Sequence, residues 1–308
     1  MKLGRFFLFS LLMVFSLSAI TQEQASILSL LRKREPNHRA VTKETFVDQT
    51  PKVVVFYAPN AEGKEIPVKM IEFYEDRSIK YEMDVCEVEK ESEGEKLWKS
   101  TLVGNGVRAD FYPKGNVKKT AFYKKGLLHG PVQVFHPNGN LRSSLTYKDN
   151  NAVGPYVVYT DSGEKKEEGE FVQGKIHGTY TYYYPEGTVA VKIPYQMGVV
   201  NGVIEEWHKN GAIKAKRHMQ NGKPQGNGKV PALQLFNEEH NLVESLDFQE
   251  GQPVGPHQKF YPSGQESFKV VFKEGKKEGL EKVFVDYCAF LPPSIVIRVV
   301  NRVDYAVT

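Results

Sequence analysis

The sequence has little net charge for its length. Its 308 residues carry 41 Lys and Arg against 37 Asp and Glu, a formal net charge of +4. Two of the cations, Lys2 and Arg5, lie in an N-terminal segment predicted to be removed, which takes the net charge to +2. A nearly neutral chain has little general attraction for a polyanion. We therefore expect no nucleic acid among the partners.

A long apolar run is also missing. The longest one, residues 6–17, is well short of the roughly 20 residues that a membrane-spanning helix needs. It follows Lys2 and Arg5 and precedes Ser18 and Ala19, which is the layout of a secretory signal peptide. The sequence predicts a signal peptide at residues 1–19 and a protein exported to the periplasm, the cell surface or the medium. The alternative is anchorage to the membrane by an uncleaved N-terminal segment.

Motifs for cofactors, metals and catalysis are absent as well. The segment "GNGVRA", residues 104–109, has the letters of a dinucleotide fingerprint but leads into a predicted strand where that site needs a helix. His129 and His177 occupy equivalent places in a repeat that elsewhere holds other residues, which favours surface or packing roles over a metal site. We expect no catalytic residue, no metal site, no cofactor and no enzymatic activity.

Glycine, by contrast, recurs with a regular period. The second Gly of each G-x-x-x-G segment returns every 24 residues, with one step of 29 residues that indicates an insertion near residues 228–232. A period of this length is typical of stacked structural repeats. The anchor glycines are Gly106, Gly130, Gly154, Gly178, Gly202, Gly226, Gly255 and Gly279.

Turn residues lie at fixed places within each period. In "FYPKGN", "FHPNGN", "YYPEGT" and "FYPSGQ", a Pro precedes a Gly by two residues between runs of Val, Tyr and Phe. Pro fixes φ early in a turn and Gly accepts a positive φ at its end, so the pattern predicts a hairpin. The G-x-x-x-G segments then carry the chain from one hairpin to the next.

Two sets of aromatic residues follow the same period. A lone hairpin is marginally stable, and we expect these rings to stack from hairpin to hairpin as ladders that replace a globular core. The first set is Phe111, Phe135, Tyr159, Tyr183, Trp207, Phe260 and Phe284, with Phe236 in the shifted unit. The second set is Tyr123, Tyr147, Phe171, Tyr195, Phe248 and Phe272, with Met219 in the remaining place.

This unit resembles the MORN repeat, and more closely the bacterial MORN-variant repeat that is also found in antitoxin-like proteins. The resemblance covers about residues 103–287, with a weaker unit at residues 73–84. It implies an elongated, single-layer antiparallel sheet of consecutive hairpins, which agrees with the turn pattern. Arg77 and Cys288 stand where the repeat has Gly, a departure typical of the capping units of repeat arrays.

The expected architecture is therefore all-β, with a short helix near the N-terminus. We predict a short helix and a polar linker at residues 20–52, and strands with a degenerate repeat at residues 53–102. The hairpin array follows at residues 103–288 and a C-terminal cap at residues 289–308. Eight units would separate Cys86 from Cys288 by some 80 Å, which predicts free or intermolecular thiols.

A sheet of this kind suits binding better than catalysis. The first hypothesis is an exported, non-catalytic scaffold that binds an unidentified protein partner. The alternatives are a module that associates with a membrane surface and, from the resemblance alone, a toxin-neutralising protein. Self-association through free edge strands is a further expectation. Candidate binding residues are aromatic residues beside another aromatic, together with the one Trp of the array: Tyr183, Tyr184, Trp207, Phe260 and Tyr261.

Overall fold

The computed structural model describes residues 28–113, 115–284 and 295–299. Their regular secondary structure is almost entirely β-strand, with a short helix, α1 (Glu93–Trp98). The chain divides into two compact units. The first extends to Lys165 and includes Phe171–Gly174, and the second contains Lys166–Glu170 and the chain from Lys175 onward.

The strands follow one another closely along the chain. In the first unit they are β1 (Arg39–Thr45), β2 (Pro51–Pro59), β3 (Glu65–Phe73), β4 (Ile79–Glu87), β5 (Leu102–Phe111), β6 (Val117–Lys124), β7 (Leu127–Phe135), β8 (Leu141–Lys148) and β9 (Asn151–Tyr159). Strand β10 (Lys165–Val172) contributes residues to both units. The second unit continues with β11 (Lys175–Tyr183), β12 (Val189–Gln196), β13 (Val199–Val200), β14 (Gly202–Trp207), β15 (Ile213–Gln220), β16 (Lys223–Pro224), β17 (Leu233–Phe236), β18 (Leu242–Gln249), β19 (Gln252–Phe260), β20 (Glu266–Lys273), β21 (Lys276–Phe284) and β22 (Ile295–Val299).

Within each unit, neighbours in sequence pair antiparallel. Val54 on β2 lies opposite Ile71 on β3, and Tyr180 on β11 lies opposite Ile193 on β12. The segment between β16 and β17 is irregular, where the 29-residue step predicts an insertion. The all-β class, the antiparallel hairpins and the 24-residue unit are confirmed.

One end of each hairpin closes with a three-residue turn. In the turn at Tyr112, the amide of Gly115 donates to the carbonyl of Tyr112, and the amide of Tyr112 donates to the carbonyl of Asn116. Gly115 has φ +86°. The left-handed residue of this turn lies beside a bulge between Asp110 and Phe111, which explains the Gly of the repeat. Arg77 and His240 take the same place without Gly, at φ 70° and 68°.

From β6 onward, the strands are connected at their opposite ends by two-residue turns. Lys125 and Gly126, between β6 and β7, have φ 48° and 86°, the signs of a type I′ turn. The amide of Gly126 also donates to the carbonyl of Gly104 in the preceding hairpin, at 2.8 Å. The turns at Gly174, Gly198 and Gly222 repeat this bond. Each of these two-residue turns, called tight turns below, connects its own two strands. It also donates a hydrogen bond to the preceding pair of strands.

A second bond joins the hairpins at their other end. The residue just before a three-residue turn makes this bond with its side chain. The bond goes to the main-chain carbonyl of the last residue in the corresponding strand of the next hairpin. The Tyr112 hydroxyl donates to Phe135 at 2.9 Å, and the Tyr184 hydroxyl to Trp207 at 2.7 Å. The other members are Tyr74 to Phe111, His136 with Tyr159, His208 with Phe236, and Tyr261 to Phe284. We call this set the turn-to-carbonyl bonds.

The first aromatic set occupies equivalent strand ends, at the last residue of β5, β7, β9, β11, β14, β17, β19 and β21. Ring contacts occur between the two strands of a hairpin. The Tyr156 and Phe171 centroids are 5.8 Å apart and those of Tyr180 and Tyr195 are 6.5 Å apart. Phe171, Tyr195 and Phe272 of the second set take part in such pairs between adjacent strands. The stacking of rings from hairpin to hairpin stays a prediction.

The first unit also has a core that the ladder hypothesis did not anticipate. Val53, Val54 and Val55 are all buried, although successive side chains of a strand point to opposite faces. Both faces of β2 are therefore covered. The fully buried apolar side chains of this unit include Val55, Ile71, Met83, Val103, Ala109 and Ala121. Most other members of the two aromatic sets are half-buried, and Phe135 is an exception at 2% exposure.

The ends of the chain differ in part from the expected organisation. Strand β1 occupies part of the segment predicted to be a polar linker, because Arg39–Thr45 pairs with β2 over most of its length. The predicted signal peptide lies outside the described residues, as do residues 20–27 of the predicted helix and linker. In the described part of the predicted helix, Leu28 and Ser29 are helical and residues 30–34 are not. In the predicted C-terminal cap, the described part is β22, which pairs with β21. Cys86 is a free, half-buried cysteine, and Cys288 lies outside the described residues.

Replacing His240 with Gly should stabilise the protein by about 0.5–1 kcal/mol, because Gly relieves the left-handed backbone strain at φ 68°. The matched change, Gly264→Ala at φ +85°, should lower stability by about 1–2 kcal/mol. Urea unfolding of both variants checks the pair. A lower midpoint for His240→Gly would contradict this account of the turn.

Replacing Tyr184 with Phe should cost about 1 kcal/mol, because it removes the turn-to-carbonyl bond to Trp207 and keeps the ring. Tyr182→Phe serves as the control, since that side chain is 39% exposed in the same strand-to-turn segment. Thermal unfolding under identical conditions measures the difference. Equal melting temperatures for the two variants would show that the bond contributes nothing to stability.

Candidate binding groove beside the inserted helix

Helix α1 interrupts the repeat between β4 and β5, where the strand pairs from β6 onward have a two-residue turn. The Ser92 side chain accepts a hydrogen bond from the Glu95 amide, and the Glu95 carboxylate accepts one from the Glu91 amide. Lys99 ends the helix in the left-handed conformation, at φ 52°. The letters "SEGE", residues 92–95, are a capping-box signal from which the helix could have been predicted.

Three glycines allow α1 to lie directly on the sheet. A side chain at Gly94 would come within 2.2 Å of the Lys125 carbonyl oxygen, which belongs to the backbone of a tight turn. One at Gly126 would meet the Cα of Gly94 at 2.9 Å, and one at Gly104 would meet the rings of Tyr123 and Trp98. Only glycine permits this close approach.

Trp98 is the residue through which α1 contacts the sheet. Its indole Nε1 donates to the Gly126 carbonyl at 2.8 Å. Its ring meets the Tyr123 ring edge to face, with the centroids 5.5 Å apart. The next residue toward the N-terminus, Leu97, is 56% exposed. The helix therefore holds an indole against the sheet and leaves an apolar side chain in solvent.

The helix and the sheet enclose an open groove of about 560 Å³. This volume lies within the range of about 300–1,000 Å³ typical of ligand sites. The groove combines residues of the inserted helix, three strands and two tight turns. It is lined by Leu97, Trp98, Arg108, Tyr123, Gly126, Leu128 and Asn150.

Arg108 is the charged residue of the groove, and Asp110 pairs with it. The guanidinium donates to the Asp110 carboxylate from Nε at 3.1 Å and from Nη2 at 2.7 Å. Its Cζ lies 4.2 Å from the Tyr81 ring centroid. Burial lowers the pKa of Arg108, but the bonds to Asp110 outweigh this effect and the pKa is raised. The pair leaves the groove with little net charge.

The neighbouring tyrosines stay neutral over the physiological range. Burial raises the pKa of Tyr81 to about 12 and also raises that of Tyr123. Their hydroxyls therefore remain protonated at neutral pH. The groove presents aromatic and apolar surface, with a neutralised ion pair at one wall.

A second concavity, of about 460 Å³, lies beside the turn at Tyr74. Its walls include Phe46 and Tyr74 and the exposed ion pair of Lys80 with Glu72, at 2.7 Å. It is built from turns that recur along the chain. The groove beside α1 is instead built from an element that departs from the repeat, which favours it as the specific site.

The binding residues predicted from the sequence lie elsewhere. The hydroxyls of Tyr184 and Tyr261 make turn-to-carbonyl bonds, and the Tyr183 hydroxyl donates to the Glu168 carboxylate. Trp207 and Phe260 end β14 and β19, and both are half-buried. Lys192 Nζ lies 5.6 Å from the Trp207 ring, and Lys209 Nζ lies 5.8 Å from the Tyr184 ring. The structure gives several of these residues structural contacts, and their role in binding stays a prediction.

His129 and His177 have a simple structural explanation. His177 Nδ1 accepts a hydrogen bond from the Met197 amide at 3.3 Å, and His129 Nδ1 lies 3.0 Å from Asp149. Asn105 at the equivalent position accepts from the Lys125 amide. Polar residues before the anchor glycine thus contact the tight turn of the next hairpin. Among the described residues, no group of three or more His, Cys, Asp or Glu is arranged to hold a metal ion.

The fold and the groove define a β-hairpin repeat protein with an inserted helix. The model of the MORN repeat variant matches residues 128–149 and 176–197, which are two of the 24-residue units. The chain therefore carries repeats of the MORN-variant family. Membership of this repeat family suggests that the chain is a repeat scaffold for binding. No curated protein matches the chain.

Two solved structures show only weak likeness. One is a protein of unknown function from Bacteroides fragilis, with 10% identity and a TM-score of 0.14, for which the match covers 53% of this chain and 96% of the other. The other is TcdB2–TccC3–Cdc42, with 10% identity and a TM-score of 0.15, for which the match covers 86% of this chain. The chain spans 21% of the length of that second structure. In the described part of the chain, no helix has the length and apolar character to cross a membrane.

Replacing Gly94 with Ala should displace α1, because the new Cβ would meet a backbone oxygen at 2.2 Å that cannot easily move. Amide hydrogen exchange of residues 93–98 should become faster in this variant. Glu93→Ala is the control, since Glu93 is exposed on the same helix. Unchanged exchange in Gly94→Ala would show that the helix is not seated as described.

Proposed function

We propose that this protein is an exported, non-catalytic repeat scaffold that binds a protein partner through the groove beside α1. The observation that carries the proposal is the insertion of α1 into an otherwise regular repeat. Insertions in repeat arrays commonly form the binding face. Here the insertion brings Trp98, Tyr123 and Leu97 to one concave surface.

The chemistry of the groove suits a polypeptide with apolar or aromatic side chains. Trp, Tyr and Arg are the residues that most often dominate the binding energy of protein interfaces. Leu97 is 56% exposed and would be buried by such a partner. Because Asp110 neutralises Arg108, the groove gains little from a highly charged ligand.

Export is the second part of the proposal. It is supported by the cationic residues Lys2 and Arg5, the apolar segment 6–17 and the small residues that follow. The low content of ionisable and nucleophilic residues in the groove supports a binding role over a catalytic one.

A photo-crosslinking amino acid at position 97, in the cells that produce the protein, tests the site. The matched control carries it at position 280, where Leu280 on β21 is 44% exposed. We expect one envelope protein to be captured from position 97 and absent from position 280. Capture of the same proteins from both positions would contradict a specific groove.

Binding of the captured protein to purified variants then measures the contribution of the groove. Leu97→Asp should weaken binding at least tenfold, because it places a charge on the apolar contact. Leu280→Asp should bind as the unmodified protein does. Flotation of the protein with anionic lipid vesicles, lost on Leu97→Asp, would instead favour the membrane-associating alternative.

A further inference from the structure

A charged cluster is enclosed in the first unit, away from the groove. Lys69 on β3 has a fully buried side chain. Its Nζ lies 2.5 Å from Glu82 Oε1 and 3.5 Å from Asp84 Oδ1, both on β4. The three side chains project from one face, because Lys69 lies opposite Asp84 and Ile71 lies opposite Glu82. Removing a lysine and two carboxyl groups from water costs desolvation free energy, which indicates that the cluster has a specific role.

Asp84 is held by more than the lysine. The Arg32 main-chain amide lies 3.1 Å from Oδ1 and 3.3 Å from Oδ2 of its carboxyl group. The Val107 amide also donates to this group. Asp84 lies at a bulge between β4 and β5, where Gly106 leaves room for it. Two fixed N–H groups thus point at the carboxyl oxygens.

We propose that Lys69 and Asp84 form an intramolecular isopeptide bond, with Glu82 transferring the proton. A proton first passes from the Lys69 ammonium group to the Asp84 carboxylate. The neutral Nζ of Lys69 then attacks Cγ of Asp84, and a C–N bond forms while the carbonyl electrons move onto oxygen. Glu82 takes a proton from the attacking nitrogen and delivers it to the hydroxyl of the Asp84 carboxyl group. The C–OH bond breaks, one water leaves, and the oxyanion collapses to an amide. The reaction consumes no oxidant, reductant or co-reactant, and it occurs once per chain.

The surroundings provide what each step needs. Strand pairing holds the nucleophile beside the carboxyl group, which replaces a bimolecular encounter by an oriented one. Glu82 lies within hydrogen-bond distance of the proton that it must move. The amides of Arg32 and Val107 can stabilise the oxyanion. Burial raises the pKa of Asp84, although Lys69 and both amides oppose this effect, and a raised pKa favours the protonated carboxyl group from which water can leave.

Such a bond would lock β3 to β4 at the centre of the buried part of the first unit. The crosslink would not need a disulfide, in a chain that has only two cysteines. This inference goes beyond the proposed function, because it concerns the chain itself and no partner.

Tryptic digestion of the purified full chain, followed by tandem mass spectrometry, tests the bond. Without it, trypsin cleaves after Lys69 and releases residues 65–69 and 81–90 as separate peptides. With it, cleavage after Lys69 is blocked, and residues 65–77 appear joined to residues 81–90 with the loss of one water. We expect the joined peptide, with fragment ions that place the link at Lys69 and Asp84. Separate peptides alone, from folded protein that has been incubated to constant composition, would overturn the proposal.

The variants Glu82→Gln and Lys69→Arg separate the reaction from the fold. Glu82→Gln keeps the shape of the side chain and removes the proton carrier, so the joined peptide should fall at least tenfold in a protein with an unchanged circular dichroism spectrum. Lys69→Arg keeps the positive charge and removes the nucleophile, so the joined peptide should be absent. A joined peptide at full yield in folded Glu82→Gln would show that Glu82 has no part in the reaction.

Discussion

The hydrogen bonds from one hairpin to the next hold the repeat in register. At one end, the amide of a tight turn donates to a carbonyl of the preceding hairpin, as Gly126 does to Gly104. At the other end, the residue that opens a turn reaches a carbonyl of the next, as Tyr112 does to Phe135. Both bonds use groups at the margins of the sheet, where strand pairing leaves the main chain partly unpaired. An unpaired buried polar group is costly, so these bonds fix the position of each hairpin.

This scheme explains why the period is strict. Each bond needs a turn of fixed length and a residue of fixed reach, so an added residue would displace both contacts. The insertion near residues 228–232 is tolerated because it lies in the irregular segment between β16 and β17, where hydrogen bonds to this segment replace strand pairing. The Asp247 carboxylate, for example, accepts a hydrogen bond from the Ala232 amide. His208 also still reaches its carbonyl partner, Phe236, across the longer spacing.

The first unit adds features that the repeat alone does not provide. Val53, Val54 and Val55 are buried on both faces of β2, and the buried Lys69 lies on the neighbouring strand β3. The α1 insertion then forms a groove with β5, β6 and β7, with an indole at its wall. The regular repeat thus forms the sheet, and two departures from it form the groove beside α1 and the charged cluster around Lys69.

The sequence by itself determined the class, the hairpins and their turns. Pro113 and Gly115 determine their turn through their own backbone angles, and Gly126 has a positive φ. Such turns can be predicted from local residues alone, because they do not depend on contacts with distant residues. The sequence also located the aromatic positions but not their partners, because ring contacts depend on strand spacing. Only the tertiary structure decided that Trp98 rests on Gly126 and that Lys69 meets Glu82 and Asp84. Those contacts depend on which strands become neighbours and which face each side chain takes, and neither is contained in the period of the sequence.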